Sequence, residues 1–238
     1  KDTFLKLTEK TYPYPLCSES AVVLKSLTDK EILGDGYGNW YTVIGDSDTM
    51  FTSHLDTADD TQKNVIHSIA IDKNGDEWVG TDNNSLLGAD CKSGTVIMLA
   101  MMEQNIPGIY YFFKGEEVGM IGSREVASDW ENNTLLKDVK KCISFDRMDF
   151  GSIITHQMGK RCASEEFSES LSEEFAKFNI DMESDPTGSY TDSAAFLELI
   201  PECTNISVGY FNQHTNSEIQ NLTFLSELTE ACINVDWD

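Results

Sequence analysis

The chain has 238 residues, 40% of them hydrophobic, and a formal charge of −24 at pH 7 from 17 basic and 41 acidic side chains. That length suits one large α/β core, the apolar content with spaced aromatics excludes a disordered chain, and the acidic balance argues against nucleic acid or an anionic membrane surface as partner, since both require a basic face. Apolar runs fall short of the ~20 residues of a membrane span, no signal-peptide pattern opens the sequence, and Cys17, Cys91, Cys142, Cys162, Cys203 and Cys232 are scattered without a Cys-x-x-Cys pair, which favours reduced, buried thiols in a cytoplasmic protein.

Residues 18–28 read as an amphipathic helix, capped by Ser18 or Ser20, with Val22, Val23 and Leu27 on its apolar face. A turn cluster at 34–39 leads into strand-like runs at 40–44 and 50–53, taken as a hairpin pair, the second ending at His54. The runs 66–71 and 77–80 flank Asn74-Gly75, another hairpin signal. After Asp90 and Ser93, the spacing of Val96, Ile97, Leu99, Ala100 and Met101 predicts a helix entering the core, and the apolar run 109–113 predicts a buried strand. A helix at 123–130, a strand at 141–145 ending at Asp146, an acidic amphipathic helix at 165–178 and a C-terminal helix at 217–233 follow. This alternation implies an α/β chain, a three-layer α/β/α arrangement around a mixed, largely parallel central sheet. No repeat or linker interrupts it, so 1–238 is expected to be a single domain.

Chemistry collects where these segments end. Glu116 and Glu117 sit in Gly115-Glu116-Glu117-Val118-Gly119 just beyond the strand at 109–113, while His54 and Asp56, Asp90, Asp146 and His214 each tend to follow an apolar segment. Histidine, aspartate and glutamate side chains at the ends of successive strands are how a metal site is assembled beyond the carboxyl edge of an α/β sheet. Two residues from His54, Asp56 can steady the imidazole. Asp90, at a helix start with two free oxygens, can bridge two metals. Of Glu116 and Glu117, one can take a proton from a metal-activated water and the other can ligate. Each motif alone is weak, since a His-x-Asp is more often a hydrogen-bonded turn and a Glu-Glu pair more often surface, and the ordered set carries the weight. His67 and His156 read as hairpin or loop residues, Asp192 as either a helix cap or a residue beside the site, and Lys92 and Arg147 as surface ion pairs more readily than contacts to a substrate carboxylate.

Taken together, Asp35-Gly36-Tyr37-Gly38-Asn39, Ser53-His54-Leu55-Asp56-Thr57, residues 87–94 around Asp90, Gly115-Glu116-Glu117-Val118-Gly119 with Gly122-Ser123, Phe145-Asp146 and His214-Thr215-Asn216-Ser217-Glu218 resemble the co-catalytic dizinc exopeptidases, the aminopeptidases, carboxypeptidases and related deacylases, and most of all peptidase T-like tripeptidases. The resemblance implies one metal on His54, Asp90 and Asp146 and a second on Asp90, Glu117 and His214. It also implies Glu116 as general base, with Asp56 behind His54. The cofactor would be two divalent ions, zinc first and cobalt or manganese as alternatives. The activity implied is hydrolysis near a terminus of short peptides, aminopeptidase favoured over carboxypeptidase. A deacylase acting on a non-peptide amide, or a metal- or peptide-binding relative without turnover, are the alternatives, and retention of Glu116 argues against the last. Thr191-Asp192-Ser193 is similar to a segment near the active site of relatives. Two departures stand out: only about 70 residues separate Asp146 from His214, too few for the lid domain of ~100 residues such relatives carry there, and Cys91 stands where many have a second acid. No serine or cysteine sits in a recognisable nucleophile elbow.

Overall fold

The computed structural model describes residues 1–237. In chain order the elements are α1 (Asp2–Leu7), α2 (Cys17–Lys25), β1 (Leu33–Gly34), β2 (Trp40–Ile44), β3 (Thr49–His54), β4 (His67–Ile71), β5 (Glu77–Thr81), α3 (Ala89–Glu103), β6 (Gly108–Phe113), α4 (Ile121–Ser128), β7 (Lys141–Arg147), β8 (Ser152–Ile154), β9 (His156–Gln157), β10 (Lys160–Arg161), α5 (Glu165–Ala176), β11 (Glu183–Asp185), β12 (Glu202–Ser207), β13 (Tyr210–Phe211), β14 (Ile219–Asn221) and α6 (Leu222–Asn234). A 3-10 turn at Asp192–Phe196 lies between β11 and β12.

The central sheet has eight strands in the order β1-β2-β6-β3-β7-β12-β8-β11, and a smaller sheet runs β13-β14-β5-β4. β3 is parallel to both β6 and β7, and β12 is parallel to β7. The antiparallel pairs β1/β2, β2/β6 and β8/β12 make the sheet mixed. Helices cover both faces, which explains the unbroken apolar run of β6. Tyr110 and Phe112 point into a core shared with α1, α2, α3, α5 and α6, whereas Ile109, Tyr111 and Phe113 point into a second core with Val126 of α4 and Phe196. A strand buried on both faces has no polar side to alternate with.

Three local expectations are corrected. The runs at 40–44 and 50–53 are both strands but not a hairpin, because β6 lies between them, antiparallel to β2 and parallel to β3. All six residues of β3 are buried, so it needs a partner on each side, and a hairpin partner could occupy only one. The first amphipathic helix is α2, but it buries Cys17, Ser20, Ala21 and Leu24 and leaves Val22 exposed, and no side chain caps it. The C-terminal segment starts as strand β14 and turns helical at Leu222, where the Asn221 side chain accepts a hydrogen bond from Phe224 N. The Asn74-Gly75 hairpin between β4 and β5 is as expected, and the six cysteines are free and buried.

α3 is pressed against the sheet where it matters most. A Cβ on Gly94 would stand 2.1 Å from the Phe145 carbonyl oxygen of β7, so only glycine lets the start of α3, with Asp90, approach the end of β7, with Asp146.

Candidate metal centre

The parallel strands β3, β6 and β7 end at the same edge of the sheet, so His54, the Glu116-Glu117 pair and Asp146 converge there by topology. β6 gives way to Gly115, at φ +66°, a left-handed conformation that glycine adopts without a Cβ penalty and that turns the chain to present the two glutamates. Asp90 enters from the start of α3, where it and Cys91 depart from helical backbone geometry. His214 comes from the loop between β13 and β14 and is held at φ +61°, uncommon for a residue with a Cβ.

Asp90 is the hub. Its Oδ1 lies 3.0 Å from His54 Nε2, and its Oδ2 lies 3.0 Å from His214 Nε2. On the first side Asp146 Oδ1 stands 3.4 Å from His54 Nε2, and on the second Glu117 Oε2 stands 3.0 Å from His214 Nε2. One carboxylate thus divides its two oxygens between two His/carboxylate pairs. Donors bound tetrahedrally at ~2.0–2.1 Å lie about 3.3 Å apart, and the separations here are 3.0 and 3.4 Å on the first side and 3.0 Å twice on the second.

The ring behind these groups is specific. Asp56 accepts from the backbone N–H of Glu116 (3.2 Å) and of Glu117 (3.1 Å), and its Oδ1 lies 3.5 Å from His54 Nδ1, so it orders both the imidazole and the paired glutamates. Thr191 Oγ1 donates to Asp146 Oδ2 at 2.6 Å, and Asn205 Oδ1 accepts from Asp146 N. Lys92 is buried and donates to the carbonyls of Leu55 and Asp56, which corrects its reading as a surface ion pair. Cys91 lies within metal reach of His54 and Asp146. Burial raises its thiol well above the ordinary range, and Sγ donates to the Phe145 carbonyl, so it packs as a thiol.

Glu218 is a site residue that the sequence reading placed in a motif without giving it a task. Its buried carboxylate accepts from Leu87 N, Gly88 N and Asp90 N, fixing the loop that delivers Asp90. Burial pushes its carboxyl up to about 7. The signal available was its place four residues after His214, but nothing local distinguishes it from the surface glutamates. Glu218→Ala leaves three buried N–H groups unsatisfied and is expected to cost on the order of 3 kcal/mol, with weaker metal retention. Thermal unfolding with and without zinc checks this. An unchanged Tm in both states would remove Glu218 from the support of the site.

The electrostatics of the cluster suit a cation. Asp56, Asp90, Glu116, Glu117, Asp146 and Asp192 crowd one buried region with two histidines. Burial lifts Glu116 well above the ordinary carboxyl range, Glu117 upward, Asp146 to about 6 and Asp192 to about 8. Asp90 goes the other way, because hydrogen bonds from His214 and His54 outweigh its burial. Among the described residues, Glu117 Oε1 and both Asp192 carboxylate oxygens are buried without a donor in hydrogen-bonding geometry, and Asp146 Oδ1 has only His54 Nε2 near it, at 3.4 Å. Orphaned acceptors in a low-dielectric cluster are costly unless a positive charge sits among them. The donor set therefore fits two divalent cations, one among His54, Asp90 and Asp146, the other among Asp90, Glu117 and His214.

Without metal, the hydrogen bonds that His214 donates to Asp90 and Glu117 raise it to about 11. His54 is lowered by burial but raised more by Asp146, and ends well above its ordinary value. Metal requires neutral imidazoles and ionised carboxylates, so binding expels protons from the histidines and from the carboxyls that burial raises, and affinity must rise with pH. Titration calorimetry at pH 7 in buffers of different ionisation enthalpy should return a net release of protons to the buffer. A value near zero would mean that the histidines are not ligands.

Among protein-family models none matches the chain, and no curated protein is similar to it in sequence, so its likeness to known proteins lies in the fold. The aminopeptidase PepT from Bacillus cereus superposes with a TM-score of 0.73 at 16% identity, over 98% of this chain and 95% of that one. A tripeptidase from Staphylococcus aureus gives 0.70 at 15%, over 98% and 95%. The TET1 peptidase of Pyrococcus horikoshii, described as assembling into a tetrahedron or a large octahedral shell, gives 0.69 at 14%, over 98% and 97%. The chain shares the fold of these peptidases over 98% of its length.

Proposed function

We propose that the protein is a metal-dependent exopeptidase that hydrolyses peptide bonds near a terminus of short peptides, an aminopeptidase before a carboxypeptidase, with residues 1–238 acting as one catalytic unit that needs no lid. The observation that carries this reading is Asp90, whose two oxygens serve His54 with Asp146 on one side and His214 with Glu117 on the other. The peptidase fold of the structural neighbours supports the same class.

Two divalent ions held there, zinc by preference, would polarise the scissile carbonyl and acidify water. The chain supplies the proton handling. Glu116 lines the cavity, makes no side-chain hydrogen bond among the described residues, and is held at its backbone by Asp56. Its carboxylate is placed to receive the proton of the attacking water and return it to the leaving amine nitrogen. Glu117, one residue on, is turned to His214 and serves as a ligand. This division between adjacent glutamates distinguishes a hydrolase from a metal store, which has no use for an unligated acid beside the metals.

Hydrolysis of di- and tripeptides with free, N-blocked and C-blocked ends, by protein loaded with zinc or cobalt, tests the reading. Cleavage confined to free amino termini identifies the aminopeptidase. Metal-loaded protein that spares every peptide but releases acyl groups from non-peptide amides would replace it with a deacylase.

A further inference from the structure

We infer that Arg147 receives a carboxylate of the substrate in the cavity beside the metal centre, an inference that rests on the peptidase reading for its substrate but not for its chemistry. The cavity has a volume of about 150 Å³ and is walled by Asp90, Glu116, Glu117 and Asp146, and Arg147 is the single lysine or arginine lining it among the described residues.

Asp146 and Arg147 are adjacent on a strand, where neighbours ordinarily face opposite sides of the sheet. Here the pairing of β7 with β12 shifts register, from Asn205 opposite Ser144 to Ser207 opposite Arg147, so that two residues of β7 stand against Ile206 alone. Such a bulge bends the strand and re-aims its side chains. At this strand end it brings a metal-ligand carboxylate and a guanidinium to one cavity.

The guanidinium is under-used by the fold. Its hydrogen bonds all come from Nη2, to Asp185 Oδ2 at a long 3.4 Å and to Thr187 Oγ1 at 3.2 Å, while Nε is buried with no acceptor. Asp185 does not depend on it, because its oxygens already accept from Ser152 Oγ at 2.7 Å, Thr187 N at 2.7 Å and Thr187 Oγ1 at 2.6 Å. An always-charged group with a buried, unsatisfied donor is a poor structural ion pair but a ready receptor for a planar carboxylate.

Charge and size select the same ligand. In a chain of net charge −24 an anionic group is repelled from most of the surface, and in this cavity Arg147 offers it a guanidinium outside the proposed metal ligands. The volume of about 150 Å³ is below the 300–1,000 Å³ typical of drug-sized ligands, which favours a substrate only a few residues long whose far end stays near the scissile bond. Such a substrate carries its carboxylate at the C-terminus or on an aspartate or glutamate side chain beside the cleaved bond.

The experiment compares trialanine, trialanine amide and the amide bearing glutamate at position two, using the zinc-loaded wild type, Arg147→Gln and Arg147→Lys. The wild type should favour trialanine over its amide by about 100-fold in kcat/KM, carried mostly by KM. Arg147→Gln should level the two, and Arg147→Lys should retain part of the preference. Recovery of the rate with the glutamate-bearing amide assigns the side-chain carboxylate, and failure to recover assigns the C-terminus. Equal rates on trialanine and its amide by the wild type, or an unchanged ratio in Arg147→Gln, overturn the inference. If no peptide is hydrolysed the peptidase reading fails, and calorimetry with the same ligands still decides about Arg147. Tighter binding of trialanine than of its amide, lost in Arg147→Gln, supports the carboxylate site, and equal or absent binding removes it.

Discussion

Glu116→Gln is expected to retain both metals and to lose peptide hydrolysis by about 1,000-fold in kcat, with KM nearly unchanged. The amide preserves the shape of the carboxylate and its place on the cavity wall, and the backbone N–H of residue 116 still bonds to Asp56, so Glu117 stays turned to His214. What disappears is the cavity-lining carboxylate to which the proposal gives the proton. Metal content by elemental analysis and steady-state rates at pH 7 decide the matter together. Loss of rate with loss of metal would recast Glu116 as a ligand, and a rate within tenfold of wild type would deny it the proton. The metal-free variant provides an internal check on electrostatics. Burial raises the Glu116 carboxyl well above the ordinary range, so its ionised form opposes folding above the unfolded-state value near 4.3. Removing that charge should leave the Tm of the metal-free protein at pH 8 unchanged or higher.

The second large effect belongs to Asp90. Asp90→Ala should abolish binding of both metals and all hydrolysis, whereas His214→Ala should lose one metal and keep the other. The asymmetry follows from geometry. His214 faces only Asp90 Oδ2 and Glu117, while Asp90 faces both histidines. His214 also sits half-exposed on a loop, whereas His54 and Asp90 are buried at a strand end and a helix start, so the His214 side of the site should be the weaker one. Zinc stoichiometry by titration distinguishes the outcomes. One full equivalent remaining in Asp90→Ala would show that Asp90 does not bridge, and two remaining in His214→Ala would strike His214 from the ligand set.

Several elements were legible in the sequence because local physics decides them. The doubly buried β6 shows itself as an apolar run, and the β4/β5 hairpin through Asn74-Gly75. α5 begins where Ser164 caps it, with its side chain accepting from Phe167 N, one residue before the expected start. His54, Asp90, Glu116, Glu117, Asp146 and His214 were legible as candidates because each tends to follow an apolar segment, and the structure brings all of them together at one edge of the sheet. Where the reading failed, the competing choice was decided by a distant partner. β2 and β3 would have formed a hairpin had β6 not offered both of them a better-buried neighbour. Val22 stays in solvent because the residues that α2 must meet lie on its other side.

By itself, then, the sequence determined which carboxylates and imidazoles are candidates, their order, and the α/β alternation that sets strands beneath helices, since periodicity and turn chemistry act over a few residues. Only the tertiary structure decided that Asp90 spends one oxygen on each histidine, that Glu218 holds three amides 128 to 131 residues away in sequence, that Lys92 is buried, and that a one-residue slip between β7 and β12 turns Arg147 toward the same cavity as Asp146. Those outcomes depend on strand order, on register and on which buried polar group finds a partner. Such relations exist between segments far apart in the chain, and no local pattern encodes them.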